Sequence, residues 1–305
     1  MRWLWELERR GLCSVLPEEP LRRWNSWGVG GPAALVLRPH TQGVFRDLRV
    51  AAAAEGVPVQ VLGEGTNVLV PDEGFPGWVV LLRDDPTPPA LSGSRGDLVE
   101  VQASGGTPLR TLVGWSLRRG LSGLEFALGI PGTLGGAVAG NAGAQGQAIG
   151  DRLSFVETLE PDGTLRTRGR GELSFSYRSS PLQGGRSWVL RAGLSFLPGE
   201  EADLRRRVKR FAELRRSQPR GQGTAGCVFR NPPGFSAGRL LDQAGCKGLR
   251  RGGARVSEQH ANFIENTQDA TARDILDLAR ECRRRVEEQH GLVLEFEVQV
   301  LGASV

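Results

Sequence analysis

GLEFALGIPGTLGGAVAGNAGAQGQAIGD, residues 123–151, is the stretch on which the reading of this chain turns. Gly123, Gly129, Gly132, Gly135, Gly136, Gly140, Gly143, Gly146 and Gly150 fall within it, with Pro131 among them. A glycine in a regular element costs roughly 0.5–1 kcal/mol against alanine, so loop rather than helix or strand is expected here. Ala137, Ala139, Ala142 and Ala144 lie between the glycines, and charge is almost absent. Such a backbone can approach a partner closely with its N–H groups free to donate. An anion with a flat apolar body, such as a dinucleotide, suits that surface. Composition alone suits a tight turn between two sheets equally well.

The bulk numbers set the frame. The 305 residues, 39% hydrophobic and 24% charged, are those of a soluble globular protein with room for two domains. No run of 18 apolar residues is present, so no membrane span is expected. The opening MRWLWELERRGL mixes acid and base and lacks an uninterrupted apolar core and a cleavage site. A secretory signal is therefore not expected, and the cytoplasm is the expected compartment. Cys13, Cys227, Cys246 and Cys282 form no CxxC pair and there are three histidines, so no metal is expected and the thiols are read as reduced. The net charge of +5 is carried almost wholly by arginine, the only lysines being Lys209 and Lys247. Codon preference, a hot habitat and polyanion binding each account for such a bias. The basic run Leu204–Arg216 reads as the wet face of a helix, so nucleic acid is not expected.

Upstream of the glycine stretch, residues 1–24 read as a short helix and a loop. In NSWGVGGPAALVLRP, Asn25–Pro39, a glycine loop precedes the strand Ala34–Leu37, which is the wrong order for a Rossmann fingerprint. A helix over Gln42–Glu55 and a strand over Val57–Leu62 follow. That strand ends in GEGTNVLV, Gly63–Val70, a turn rich in backbone donors but without the Gly-Lys-Ser/Thr of a P-loop. Strands are expected at Trp78–Leu82 and Leu98–Ala103, with a surface loop at Pro86, Pro88 and Pro89 between them, then a helix from Leu109 to Arg119. Downstream come a hairpin, Ser154–Leu159 with Leu165–Arg168, and a strand Trp188–Phe196. Composition changes near Pro198. A helix with the stripe Leu204, Val208, Phe211 and Leu214 leads into QPRGQGTAGCVFRNP, Gln218–Pro232, a polar glycine loop with Cys227 at its centre. A short helix is read at Gly238–Gly245. Thr271 and Asp274 form a capping box for a helix that buries Ile275, Leu278, Cys282 and Val286. LVLEFEVQV, Leu292–Val300, alternates as a strand with Glu295 and Glu297 on its polar face.

Eight pieces in order, spanning nearly the whole chain past residue 24, resemble the UDP-N-acetylenolpyruvoylglucosamine reductase family. They are GVGGPA at Gly28, LGEGTNVLV at Leu62, GLEFALGIPGTLGGAVAGNAGA at Gly123, SYRSS at Ser176, QPRGQGTAGCVFRNP at Gln218, AGCKG at Ala244, VSEQHANFIEN at Val256 and LEFEVQVLG at Leu294. The resemblance implies an α+β fold: an FAD-binding region of the vanillyl-alcohol-oxidase (PCMH) type over 1–197, in subdomains of about 1–66 and 67–197. An α+β substrate domain over 198–290 and a final strand in 291–305, returning to the flavin half, complete it. The short type of the family is implied, because Arg178 is followed closely by the next strand and no second tyrosine exists. Cys227 stands where the family usually has serine, and Leu182 where an aromatic is common.

The implied reaction is NADPH-dependent reduction of UDP-N-acetylglucosamine enolpyruvate to UDP-N-acetylmuramate in peptidoglycan synthesis. Flavin N5 gives hydride to the enol ether, and the resulting enolate needs stabilisation and a proton. Alone, Cys227 reads as a small buried residue and Arg178 as a surface arginine. The resemblance makes Arg178 the cation for the carboxylate or enolate, Glu297 its protonated or proton-sharing partner, and Cys227 the proton donor. It places non-covalent FAD on Gly28, Val29, Gly30 and Gly31, on Gly63, Glu64, Gly65, Thr66 and Asn67, and on Gly129, Ile130, Pro131, Gly132, Thr133, Gly136, Ala137, Gly140, Asn141 and Gly143. The UDP-sugar falls to Tyr177, Arg215, Arg216, Asn231, Lys247 and His260. A monomer is expected. Two other readings stay open on sequence: a flavin oxidoreductase of the same fold acting on a small alcohol or sugar, and a nucleotide- or RNA-binding module.

Overall fold

Residues 2–216, 218, 219 and 223–302 are described by the computed structural model; Arg220, Gly221 and Gln222 of the Gln218 loop lie outside them. In chain order the first elements are α1 (Arg2–Arg9), β1 (Cys13–Pro20), β2 (Pro32–Pro39), α2 (Gln42–Glu55), β3 (Val59–Leu62), β4 (Val68–Leu69) and β5 (Phe75–Leu81). The middle holds β6 (Ala90–Arg95), β7 (Leu98–Ser104), α3 (Leu109–Leu117), β8 (Leu121–Ser122), α4 (Leu134–Ala139), β9 (Gly143–Ala144), β10 (Gln147–Ala148), β11 (Leu153–Leu159), β12 (Leu165–Gly169) and β13 (Trp188–Pro198). The rest is α5 (Glu201–Arg216), α6 (Ala237–Gln243), β14 (Arg250–Arg251), β15 (Ala254–Val256), β16 (Ile264–Asn266), α7 (Ala272–His290) and β17 (Gln299–Val300). Among the described residues no helix is long and apolar enough to cross a membrane.

The chain divides into two units. The first comprises residues 1–16, 35–64 and 77–215, and the second 17–34, 65–76 and 216–305. The first unit has two cores. One packs Leu4 of α1 and Leu48 of α2 with Leu37, Trp78 and Trp188, beside the sheet ordered β1-β2-β5-β3, in which β3 and β5 are parallel. The other packs Leu112 of α3 and Leu134 of α4 with Val101, Ala192 and Phe196. Those last three lie on β7 and β13 of an antiparallel sheet ordered β12-β11-β13-β7-β6.

The glycine stretch departs from its reading as loop: α4 lies inside it, with Thr133 as N-cap accepting from Gly136 N. Close packing is the reason. A Cβ on Gly135 would lie 3.0 Å from Gly105 O and 3.1 Å from Val189 O, tighter than most Cβ contacts, so glycine lets this helix lie close on the backbone beside it. The propensity lost at Gly135 is offset by this close contact, which alanine would crowd. The short strands β9 and β10 also lie in this stretch, and two longer strands elsewhere were read as loop. β1 contains Pro17 and Pro20, and β6 has every residue exposed. Both lie at sheet edges, where a missing donor or a missing buried face is tolerated.

The core of the second unit gathers Trp27, Val29 and Leu69 with Leu241, Val256, Leu278, Cys282 and Val286. Helix α7 buries the apolar stripe read from sequence. Its N-terminus carries the Thr271–Asp274 capping box, and the Asp72 carboxylate accepts from Ala272 N at 2.7 Å and Arg273 N at 3.0 Å. The segment expected as one strand over Leu292–Val300 is extended but shares its bonds among three partners. Glu295 O accepts from Arg230 N, Glu297 N donates to Val228 O, and Gln299 N donates to Asn67 O. Only β17 is a regular strand, parallel to β4.

Candidate active site

In the first unit the two predicted glycine loops lie against each other. A Cβ on Gly63 would fall 2.6 Å from Thr133 Oγ1, so the cradle closes only around glycine. Glu64 braces it: its carboxylate accepts from Gly132 N at 2.9 Å and pairs with Arg110 Nη1 at 2.7 Å. The Gly132 amide is thus aimed at a negative charge. Gly132 has φ 120°, a conformation closed to ordinary side chains. Gly136, Ala137 and Gly140 spend their amides on Thr133 Oγ1, Thr133 O and Gly136 O, and Gly143 pairs with Ala148, so these four build the cradle's wall. Gly129 lies beside the stem of Arg215, whose Cγ would be 3.6 Å from a Cβ there. Past the cradle, Tyr177 and Arg178 occupy a turn closed between Ser176 and Ser179, with the Arg178 guanidinium 5.5 Å from the Tyr177 ring centre.

In the second unit the Gly28–Gly31 loop and the Gly65–Asn67 turn are joined through Asn25. Asn25 Oδ1 accepts from Gly28 N, Nδ2 donates to Val29 O at 2.8 Å, and a Cβ on Gly65 would meet Asn25 Cα at 2.7 Å. Asn67 Nδ2 donates to Glu297 O at 3.1 Å, and Glu297 N donates to Val228 O at 2.8 Å. The turn expected to hold flavin, the candidate carboxylate and the residue following the candidate thiol are therefore locked into one backbone ladder. Cys227 is half-buried and forms a bridge to Phe263. The segment it opens is clamped by Asn262. That side chain accepts from Phe229 N at 2.9 Å and donates to Phe229 O at 2.8 Å, while Asn262 O accepts from Val228 N.

Asn25 and Asn262 were not singled out from sequence. Both lie inside quoted stretches, Asn25 at the head of NSWGVGG and Asn262 within VSEQHANFIEN, but an amide that satisfies backbone carries no signature until its partners are known. Of the residues read as binding the UDP-sugar, Asn231 Oδ1 accepts from Ala237 N and starts α6, and Lys247 pairs with Asp242 at 2.9 Å. Arg216 O accepts from Gln259 Nε2, next to His260. His260 Nδ1 accepts from Asn262 N at 3.2 Å, leaving Nε2 to carry the proton of the neutral ring. Burial holds its pKa below the usual 6.5, with the Lys247 charge pushing the same way. A Cβ on Gly238 would lie 2.7 Å from His260 Cε1, so that glycine makes room for the ring. Among the described residues no three His, Cys, Asp or Glu are grouped to hold a metal.

Residues 33–169 match the family model described as FAD binding domain. With the cradle that a Cβ would fill, this defines the class: an α+β protein with an FAD-binding domain. Residues 218–301 match the model of the UDP-N-acetylenolpyruvoylglucosamine reductase C-terminal domain. Proteins named UDP-N-acetylenolpyruvoylglucosamine reductase are similar over nearly the full length. The one from Heliobacterium modesticaldum is 42% identical, covering 95% of this chain and 91% of its own. The one from Moorella thermoacetica is 40% identical, covering 98% and 97%. A crystal structure of the reductase from Thermus caldophilus superposes with a TM-score of 0.78 at 37% identity, covering 94% of this chain and 98% of that one. The chain belongs to the UDP-N-acetylenolpyruvoylglucosamine reductase family.

Proposed function

We propose that this chain reduces the enolpyruvyl ether of UDP-N-acetylenolpyruvoylglucosamine to UDP-N-acetylmuramate in peptidoglycan synthesis. FAD is held without a covalent bond and NADPH is the reductant. The observation that carries the reading is the ladder Asn67–Glu297–Val228, which fixes a flavin-loop residue, a carboxylate and the neighbour of a thiol in one framework. When bound, FAD supplies hydride relay between NADPH and the enolpyruvyl double bond. Gly28–Gly31, Gly63–Asn67, residues 129–137, Gly140 and Gly143 would hold it by close backbone approach.

The rest belongs to the chain's own side chains. Adding hydride to one carbon of the double bond leaves negative charge on the other, conjugated with the substrate carboxylate. Arg178 presents a permanent planar cation to those oxygens. Glu297, when protonated or sharing a proton, donates to the same oxygens. Cys227 gives its thiol proton to the carbanion carbon and regains one from solvent, so each turnover consumes one NADPH and one proton. Tyr177, Arg215, Arg216, Asn231, Lys247 and His260 bind the UDP-sugar. The neutral His260 ring offers its Nε2–H without adding charge. The functional division follows the ligands: 1–197 for flavin, 198–290 for substrate, 291–305 returning with Glu297. The enzyme works in the cytoplasm as a monomer.

Rapid mixing of the two half-reactions tests the roles. Cys227→Ala should leave flavin reduction by NADPH unchanged and slow reoxidation by the enol ether by about 10²–10⁴, the usual loss for a missing general acid. Cys227→Ser should keep much of the rate. Reoxidation of the alanine variant at the parent's rate would make Cys227 a packing residue.

A further inference from the structure

Asn141, at the end of the cradle, has left-handed backbone with φ 45°, and so has Arg178 with φ 53°. Such conformations are uncommon for residues other than glycine and persist only where surrounding bonds hold them. The bonds are visible. Asn141 is 5% exposed, and both ends of its amide are used: Nδ2 donates to Ser176 O at 2.6 Å and Oδ1 accepts from Gly150 N at 3.1 Å. Ser176 is the first residue of the turn that carries Tyr177 and Arg178. It exchanges two backbone bonds with Ser179, each 3.1 Å. The exit of that turn is tied as well, since Ser180 Oγ donates to Ala139 O at 2.7 Å. The turn is therefore fastened at both ends to residues 139–141, where α4 stops.

We infer that Asn141 is a positioning residue for Arg178: its carboxamide fixes the Ser176–Ser179 turn, and through it the direction of the guanidinium, instead of contacting flavin. Asparagine suits the place physically. It tolerates left-handed backbone and offers one donor and one acceptor on a short stem. Aspartate would keep the acceptor for Gly150 N–H and the backbone tolerance but replace the donor to Ser176 O with a buried negative charge, while Asn141→Gly removes the contact without adding charge. The inference rests on the reading above that Arg178 acts on the substrate.

The test uses the holoenzyme. In Asn141→Asp, flavin content and the rate of flavin reduction by NADPH should stay within about twofold of the parent. Reoxidation by the enol ether should slow on the order of 10²-fold, as for a reacting group displaced by about 1 Å. In an Arg178→Ala background the same change should cost no more than about twofold further, because its effect passes through Arg178. Tyr177 is the only tyrosine of the chain, so 3-fluorotyrosine labelling gives one ¹⁹F resonance from the turn itself. That resonance should shift or broaden in Asn141→Asp. Asn141→Gly, which relieves the backbone while removing both side-chain bonds, should behave in the same way and guards against a folding failure of the aspartate. An unmoved ¹⁹F resonance overturns the inference, as does a full additive loss on top of Arg178→Ala. If the parent enzyme itself is not reoxidised by the enol ether, the functional reading fails. The fluorine signal still decides whether Asn141 sets the turn.

Discussion

A single buried amide does much of the work around Cys227. Asn262 satisfies both backbone groups of Phe229, and the alternative to each bond is a desolvated orphan costing about 1–3 kcal/mol. It also donates its backbone N–H to His260 Nδ1, which joins the thiol segment to a nucleotide-sugar candidate. His260 has a consequence for stability. Its folded pKa lies below the ordinary 6.5, so between the two values the unfolded chain binds the extra proton. Stability from this group is complete above pH 6.5 and is lost as pH falls through that window to the folded value. Thermal unfolding followed from pH 7.5 to 5 should show a Tm that drops below about pH 6.5, and His260→Gln should flatten the drop. An equal slope in both proteins would mean the ring is not buried as described. Cys227 and His260 were singled out from sequence because a thiol and an imidazole carry recognisable chemistry within a motif. Asn25 and Asn262 lie in quoted stretches too, but their roles depend on carbonyls and amides brought close only by the fold.

Among the elements, the glycine stretch was read correctly as a place of close backbone approach and wrongly as free of helix. The pattern of glycines reports proximity, but whether the neighbour is a ligand or another strand is decided by tertiary structure. At Gly135 it is the backbone of Gly105 and Val189, and at Gly132 it is an amide aimed at a carboxylate. The two glycines therefore make different predictions. Gly132→Val, at φ 120° in the cradle, should give folded protein with less than about a tenth of an equivalent of flavin, measured by absorbance after purification. A full equivalent would place the cradle elsewhere. The C-terminal segment shows the converse limit. Its alternation correctly buries Leu294 and Val298, yet period two cannot reveal that the strand's hydrogen bonds are divided among Arg230, Val228 and Asn67.

For the whole molecule, α2 was found from periodicity alone and α7 from periodicity together with its Thr271–Asp274 capping box. The edge strands β1 and β6 escaped because an edge asks little of its residues. What tied the pieces to one activity was their order along the chain, since no single motif specifies a flavin reductase. The arginine-rich surface takes no part in that argument: many of its charges are spent on local pairs, such as Arg284 with Glu281 and Arg255 with Glu265. The proposed activity passes reducing equivalents from NADPH through bound flavin to an enol ether. Its most direct test is the absorbance of the purified protein under anaerobic conditions. The account predicts a flavin band that acid precipitation releases into solution, that bleaches on adding NADPH, and that returns when UDP-N-acetylenolpyruvoylglucosamine is added, with UDP-N-acetylmuramate formed in equal amount. A colourless protein, or a bleached flavin that oxygen restores but the enol ether does not, would contradict it.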